Sequence, residues 1–188
     1  TSHSPTITAK SDVNNISILQ RKQSIIQSFS FDELSEDDYP KESKRHLRKF
    51  LDTTKAQLFF ANGVLLVEGV AEAIIIPILA KKFLTEKIDL CKSGIELVNI
   101  GGVAFNHFGL LFNNDDERKR LLSKCAIITD SDPKDNGDIS DRAQKAKDLE
   151  KHNLKVCLAT HTLEHDLFEQ SERNKAIMRD VYRKIHAQ

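Results

Sequence analysis

Gly63-Val64-Leu65-Leu66-Val67-Glu68-Gly69-Val70-Ala71-Glu72-Ala73 is the stretch on which the reading of the whole chain turns. Val64–Val67 is a compact run of β-branched residues and leucine, the composition of a strand covered on both faces, as in parallel sheets. Ala71–Phe83 behind it reads as a helix, and Pro77 inside predicts a kink or a restart. The same beat recurs downstream. Glu96–Ile100 reads as a second strand, ended by the Gly101-Gly102 turn, and Ala104–Phe112 as a helix or ordered loop. Glu117–Leu122 reads as a helical turn or two. Ala126–Thr129 is a third strand, Ser140–His152 a charged surface helix and Val156–Ala159 a fourth strand. Leu163–Ala187 is a terminal helical segment broken near Glu172–Asn174. Strands alternating with helices predict an α/β fold, a parallel sheet flanked by helices. Right-handed crossovers then align the strand C-termini along one edge, where such sheets bind ligands.

Upstream of Gly63 the pattern differs. Ile16–Gln20 and Ser24–Phe31 are short, partly alternating apolar stretches, consistent with strands. Asp32–Glu42 is polar and acidic and reads as a loop ending near Pro40. Lys44–Phe60 reads as an amphipathic helix carrying Leu47, Leu51, Leu58 and Phe59, with Lys44, Arg45, Arg48, Lys49 and Lys55 on an exposed basic side. The expected division is therefore 1–62 and 63–188.

Composition bounds the function. The chain has 188 residues, 39% hydrophobic and 30% charged, the balance of a soluble globular protein with a real core. The longest apolar run, Ala73–Ala80, is interrupted by Pro77 and is far short of the ~20 residues that span a bilayer. The N-terminus has no basic segment followed by an apolar one, so nothing suggests secretion, and a cytoplasmic location without membrane contact is expected. Cys91, Cys125 and Cys157 form no CxxC pair and read as reduced thiols or small core residues. Lys and Arg total 28 against 28 Asp and Glu, so bulk charge alone would not hold nucleic acid.

The placement of those charges says more. Glu68 follows the first strand of the regular region and Glu72 opens the next helix. Asp130 and Asp132 close the third strand in Thr129-Asp130-Ser131-Asp132-Pro133, and Glu164 follows the fourth. Each has a bland reading: an acid at a helix N-terminus for Glu68, Glu72 and Glu164, a turn for Asp130-Ser131-Asp132-Pro133. Five carboxylates from three segments at one sheet edge repel one another when empty. A hard divalent cation relieves that repulsion, and oxygen-only ligation favours Mg²⁺ or Mn²⁺ over Zn²⁺. Two such ions would form a clamp for phosphoryl transfer, and their four positive charges would turn a neutral chain net positive.

Leu66–Ala73, then Val98-Asn99-Ile100-Gly101-Gly102-Val103-Ala104-Phe105, then Ala126–Pro133 together resemble a Toprim domain. More narrowly they resemble the OLD-family (overcoming lysogenization defect) ATP-dependent endonucleases, which include the nuclease subunit of Gabija-type phage defence. The likeness covers about Leu58–Phe168. It implies a metal-dependent DNA nuclease with Glu68 and Glu72 as paired glutamates, Asp130 and Asp132 as the aspartate motif and Glu164 as the later acidic ligand. Gly101 and Gly102 match the family's tight turn. Thr1-Ser2-His3-Ser4-Pro5 is similar to the end of an ABC-type ATPase domain, in which a histidine senses the γ-phosphate. Residues 1–62 would then be the tail of an ATPase domain plus a linker helix. Residues 63–188 would be a Toprim nuclease domain truncated at its C-terminus. No GxxxxGK[ST] occurs, so ATP would act only through the missing ATPase domain. The resemblance also implies DNA and that ATPase domain as partners, a homo-oligomeric full-length protein, and a lysine motif that finds no clear match in Lys175–Gln188.

Three alternatives stay open. A primase- or topoisomerase-like Toprim protein would share the metal chemistry, although Tyr39 and Tyr182 lie outside the motif core. A haloacid-dehalogenase-type phosphatase would place its DxD after the first strand instead of the third. A regulatory or dimerisation module of a larger ATPase would carry the acidic edge without catalysis.

Overall fold

The computed structural model describes residues 1–83, 88–102 and 104–186. The chain opens with a short helix α1 (Pro5–Lys10), capped by Ser4, and a hairpin of β1 (Ser17–Lys22) and β2 (Ile25–Ser30), paired antiparallel with Ser17 opposite Ser30. Both N-terminal strands are present, shifted by a residue or two from the expected bounds. The acidic loop that follows leads into α2 (Lys41–Phe50).

The single helix expected over Lys44–Phe60 is not formed. Helix α2 stops at Phe50, α3 (Thr53–Ala56) restarts, and Gln57–Phe60 closes the segment as a 3₁₀ turn. The cause is Asp52, whose carboxylate accepts from the Lys55 backbone N–H at 2.8 Å and caps a new helix start. The basic side is also less exposed than expected. Lys44 Nζ donates to the carbonyls of Phe31 (2.9 Å) and Leu34 (3.2 Å), and Lys55 pairs with Asp52 at 2.7 Å.

From Gly63 the α/β pattern holds. Four parallel strands form one sheet in the order β4-β3-β5-β6, namely β3 (Gly63–Val67), β4 (Ile95–Asn99), β5 (Lys124–Thr129) and β6 (Leu154–Leu158). Between them run α4 (Val70–Phe83), α5 (Phe105–Gly109) and α6 (Asp141–Lys147). Helices α7 (Leu163–Glu169) and α8 (Glu172–His186) follow. Helix α4 runs through Pro77 without the expected restart. The terminal segment breaks at Gln170–Ser171, just ahead of the expected position, and Ala187 lies outside the described residues. Glu117–Lys119 is a single 3₁₀ turn.

One apolar cluster runs through both regions. Phe29, Phe31, Tyr39, Leu47 and Leu58 pack with Leu66, Val98, Phe108, Phe112, Leu121, Ile127 and Leu154. Phe31 meets Phe29, Tyr39 and Phe59 edge-to-face at 5.1–6.0 Å, the arrangement aromatic quadrupoles favour. Burying each such ring is worth about 2–3 kcal/mol. The buried Tyr39 hydroxyl donates to the His107 carbonyl, fixing the N-terminal loop against α5. Asp38 adds a polar tie to the same region, accepting from Asn114 Nδ2 at 3.0 Å and pairing with Lys119 at 2.7 Å. No helix among the described residues is long and apolar enough to cross a membrane.

Candidate functional site

Sheet register builds the site. Val67 of β3 pairs with Ile128 of β5, so the next residue along each chain, Glu68 and Thr129, meet at the strand ends. The buried Thr129 hydroxyl donates to Glu68 Oε1. Gly102 N–H donates to the Glu68 carbonyl at 2.9 Å. The turn reaches that carbonyl with Gly101 at φ +69° and Gly102 at φ +139°, conformations side-chain-bearing residues rarely adopt. Gly101 and Gly102 thus shape the backbone below Glu68.

Asp130 and Asp132 sit on a loop clamped to the segment after β6. The buried Ser131 hydroxyl donates to the Thr160 carbonyl at 2.6 Å, and the Ser131 and Asp132 N–H groups donate to the His161 carbonyl at 3.1 and 3.2 Å. Asp132 takes a left-handed φ of +41°, which aspartate tolerates better than most residues. Leu163 N–H donates to Asp130 Oδ1 at 3.0 Å, so the loop after β5 is tied to the start of α7. Ser140 links the same loop to α6. Its N–H donates to the Ser131 carbonyl at 2.9 Å, and its hydroxyl caps the helix by accepting from Ala143 N–H at 3.1 Å.

Burial, and then the like charges of Glu68, Asp132 and Glu164, push the Asp130 carboxyl up to about 6 against the opposing Leu163 N–H bond. Those four carboxylates therefore share one electrostatic field. Arg142, in the first turn of α6, enters that field: its guanidinium lies 3.5 Å from Glu68 Oε1 and pairs with Asp132 Oδ2. Glu164 is exposed at the rim, in the first turn of α7 behind the Thr162 cap. Glu72 is turned elsewhere. Its Oε2 accepts from Gly69 N–H at 3.0 Å, which caps its own helix.

Glu68, Asp130, Asp132 and Glu164 offer carboxylate oxygens from three segments, the donor type that hard divalent cations take, and Arg142 is already paired with two of them. Among the described residues, no three His, Cys, Asp or Glu side chains are gathered into a coordination cluster. Asp130 is coupled electrostatically to Glu68, Asp132 and Glu164, while Glu72 is held on its own helix.

Sequence reasoning missed Arg142, Thr129 and Ser131. In the sequence Arg142 is one of several charged residues of the surface helix expected over Ser140–His152. The available signal was a cation in the first turn of a helix, where the macrodipole disfavours it unless acids lie nearby. Other candidates are committed elsewhere. Tyr39 is fully buried, so its hydroxyl is no nucleophile. Lys175 bridges Glu169 (2.9 Å) and Glu172 (3.2 Å) across the α7–α8 junction. His3 is exposed.

Residues 59–132 match the family model described as "Overcoming lysogenization defect protein-like, TOPRIM domain". The match takes in Glu68, Glu72, Asp130 and Asp132 and stops short of Arg142 and Glu164. Two solved structures of the C-terminal region of the Xanthomonas campestris pv. campestris OLD protein are similar to the chain. The one phased with iodine is 28% identical, with a TM-score of 0.47, covering 67% of this chain and 64% of that one. The one phased with platinum is 26% identical, with a TM-score of 0.48, covering 70% and 65%. The chain thus spans just under two thirds of the length of those structures. Among curated proteins, none matches the chain.

Proposed function

We propose that this chain, whose residues 59–132 are an OLD-like TOPRIM domain, is the nuclease region of a metal-dependent DNA endonuclease. The observation that supports the reading is the electrostatic coupling of Asp130 to Glu68, Asp132 and Glu164 at the strand ends, with the Asp130 carboxyl raised to about 6. Asp130, Asp132 and Glu68 would hold Mg²⁺ or Mn²⁺, with Glu164 from the rim and Glu72 after release from Gly69 as the further ligands of a two-ion site. Such ions supply Lewis acidity and a water of lowered pKa for phosphodiester hydrolysis. Thr129 orients Glu68 through its hydroxyl, and the Leu163 N–H orients Asp130. Arg142 holds Asp132 and Glu68 against mutual repulsion. In the whole protein we place this region under an ATPase domain, in a homo-oligomer acting in phage defence or DNA processing.

The test is nicking of supercoiled plasmid with Mn²⁺, by this chain and by the full-length protein that contains it. Asp130→Ala abolishes cleavage while its circular dichroism spectrum stays native. Wild-type cleavage by that variant would refute the assignment. Absence of any Mn²⁺-induced thermal stabilisation would instead favour a non-catalytic regulatory module.

A further inference from the structure

We propose that Asn136 is a site of spontaneous covalent modification, whose side-chain amide cyclises onto the Gly137 nitrogen and opens to aspartate or isoaspartate. The change loosens the loop between Asp132 and α6. Asparagine followed by glycine is the dipeptide that cyclises most readily, because no side chain shields the attacking nitrogen. The chain has two such dipeptides, Asn62-Gly63 and Asn136-Gly137. Residue order ranks them equally, and the fold separates them.

Asn62-Gly63 leads into the sheet. The N–H groups of Asn62 and Gly63 both donate to the Gly94 carbonyl, at 2.8 and 3.4 Å. Gly63 opens β3, which lies between β4 and β5 and sets Gly63 opposite Ile95 and Lys124. Its nitrogen reaches the Asn62 side chain only after that part of the sheet opens. Asn136-Gly137 lies instead in a turn of the loop after β5, where Lys134, Asp135, Asn136, Gly137 and Asp138 are all exposed. The Gly137 N–H donates to the Lys134 carbonyl at 2.8 Å, a single bond that breaks by local fraying. A Cβ added at Gly137 would meet nothing within 4 Å, so the space around the attacking nitrogen is open.

Asp138 prepares the amide. Its N–H donates to Asn136 Oδ1 at 3.1 Å, which polarises the carbonyl and meets the negative charge that grows on that oxygen as nitrogen adds. Its Oδ2 accepts from Asn136 Nδ2 at 2.7 Å, beside the leaving group. The Gly137 nitrogen gives up its proton and bonds to Asn136 Cγ. The Cγ–Nδ2 bond breaks, and the leaving nitrogen takes a proton through water to depart as ammonia. Water then adds to either carbonyl of the cyclic imide and opens it to aspartate or isoaspartate.

Neither product keeps the loop as it is. Where Nδ2 donated to Asp138 Oδ2, a carboxylate faces a carboxylate. Isoaspartate also adds a methylene to the backbone between two pinned points, the Asp132 N–H on the His161 carbonyl and the Ser140 N–H on the Ser131 carbonyl. Ser140 caps α6 and Lys134 pairs with Asp141 at 2.6 Å, so the strain reaches the helix that carries Arg142.

The reaction needs neither metal nor DNA, so its outcome is independent of the nuclease assignment. The folded 188-residue chain is aged in ¹⁸O-water at mildly alkaline pH, and its tryptic peptides are mapped by mass spectrometry. Asn136 falls in the peptide Asp135–Arg142 and Asn62 in Ala56–Lys81. Asn136 converts at least about 100-fold faster than Asn62, the margin between fraying of an exposed loop and opening of a central strand. In urea the two rates converge. Isoaspartyl methyltransferase labels the aged wild type and not the aged Asn136→Gln variant. Exchange of the Ala143 amide, which the Ser140 hydroxyl holds at 3.1 Å, speeds up in the aged chain and by a smaller factor in Asn136→Asp. Conversion at Asn62 as fast as at Asn136 in the folded chain, or an Asn136 peptide that keeps its amide, overturns the proposal. Ala143 exchange unchanged after full conversion overturns the link to α6.

Discussion

Asp130→Asn makes the protein more stable at neutral pH, and the gain depends on pH. In the folded chain the Asp130 carboxyl is lifted from an ordinary 3.8 to about 6, first by burial and then by the charges of Glu68, Asp132 and Glu164. An acid that holds its proton more tightly when folded favours the folded state at low pH. Stability falls as pH rises through the interval from about 4 to about 6, and stays lowered above it. At about 1.4 kcal/mol per tenfold change in the proton equilibrium, the ceiling on this cost is about 3 kcal/mol. Asp130 is partly open to solvent, and screening reduces the figure to about 1–1.5 kcal/mol. Asparagine keeps an oxygen for the Leu163 N–H bond while removing the charge. Differential scanning calorimetry in EDTA at pH 7.5 should therefore show a Tm higher by about 2–5 °C, given about 2–4 °C per kcal/mol for a chain of this size. At pH 4.5 the gain shrinks to about a third, because wild-type Asp130 is then largely protonated when folded. Added Mn²⁺ stabilises wild type and leaves the variant nearly unmoved. A variant no more stable than wild type at pH 7.5, or equally stabilised at both pH values, would refute the electrostatic account.

Gly102→Ala costs about 1–3 kcal/mol because the alanine must adopt φ +139° to keep the N–H bond to Glu68, and urea unfolding reads the loss. Gly101→Ala, at φ +69°, costs about 1 kcal/mol, so the two variants are ranked in advance. Tyr39→Phe leaves the His107 carbonyl without its hydroxyl donor and lowers stability by about 1 kcal/mol, while Tyr39→Ala costs about 3–5 kcal/mol. Asp38 is held well below the usual carboxylate range by Lys119, with further hydrogen bonds from Ser35 and Asn114. A depressed acid stabilises the fold above about pH 4 and loses that contribution as pH falls further. Asp38→Asn therefore lowers stability by about 1–2 kcal/mol at pH 7, and a denaturation series in pH shows the difference narrowing below about pH 4.

The alternation of strand and helix after Gly63 was legible because a parallel strand covered on both faces leaves a short apolar run between polar helices. Val64–Val67 and Ala126–Thr129 are such runs, and both are strands. The break inside Lys44–Phe60 was not legible. Leu47, Leu51 and Leu58 keep a helix-like spacing, and the Asp52 side chain overrides it locally by capping a new start. The candidate acids were legible as the residues that follow strands. Their grouping was not, since Glu72 satisfies its helix terminus instead of facing the others, and rotamer choice carries no signature in residue order.

Local order thus carried the strand ends, the glycine turn and the identity of the acids, because a strand terminus and a positive φ are properties of a few adjacent residues. The pairing of Glu68 with Thr129 and the clamp from Ser131 to Thr160 came from the fold. So did the reach of Arg142 across to both acids. Those contacts join residues 10 to 74 positions apart. Register and packing bring such distant groups within hydrogen-bonding range, and the field that lifts Asp130 exists only after they have done so.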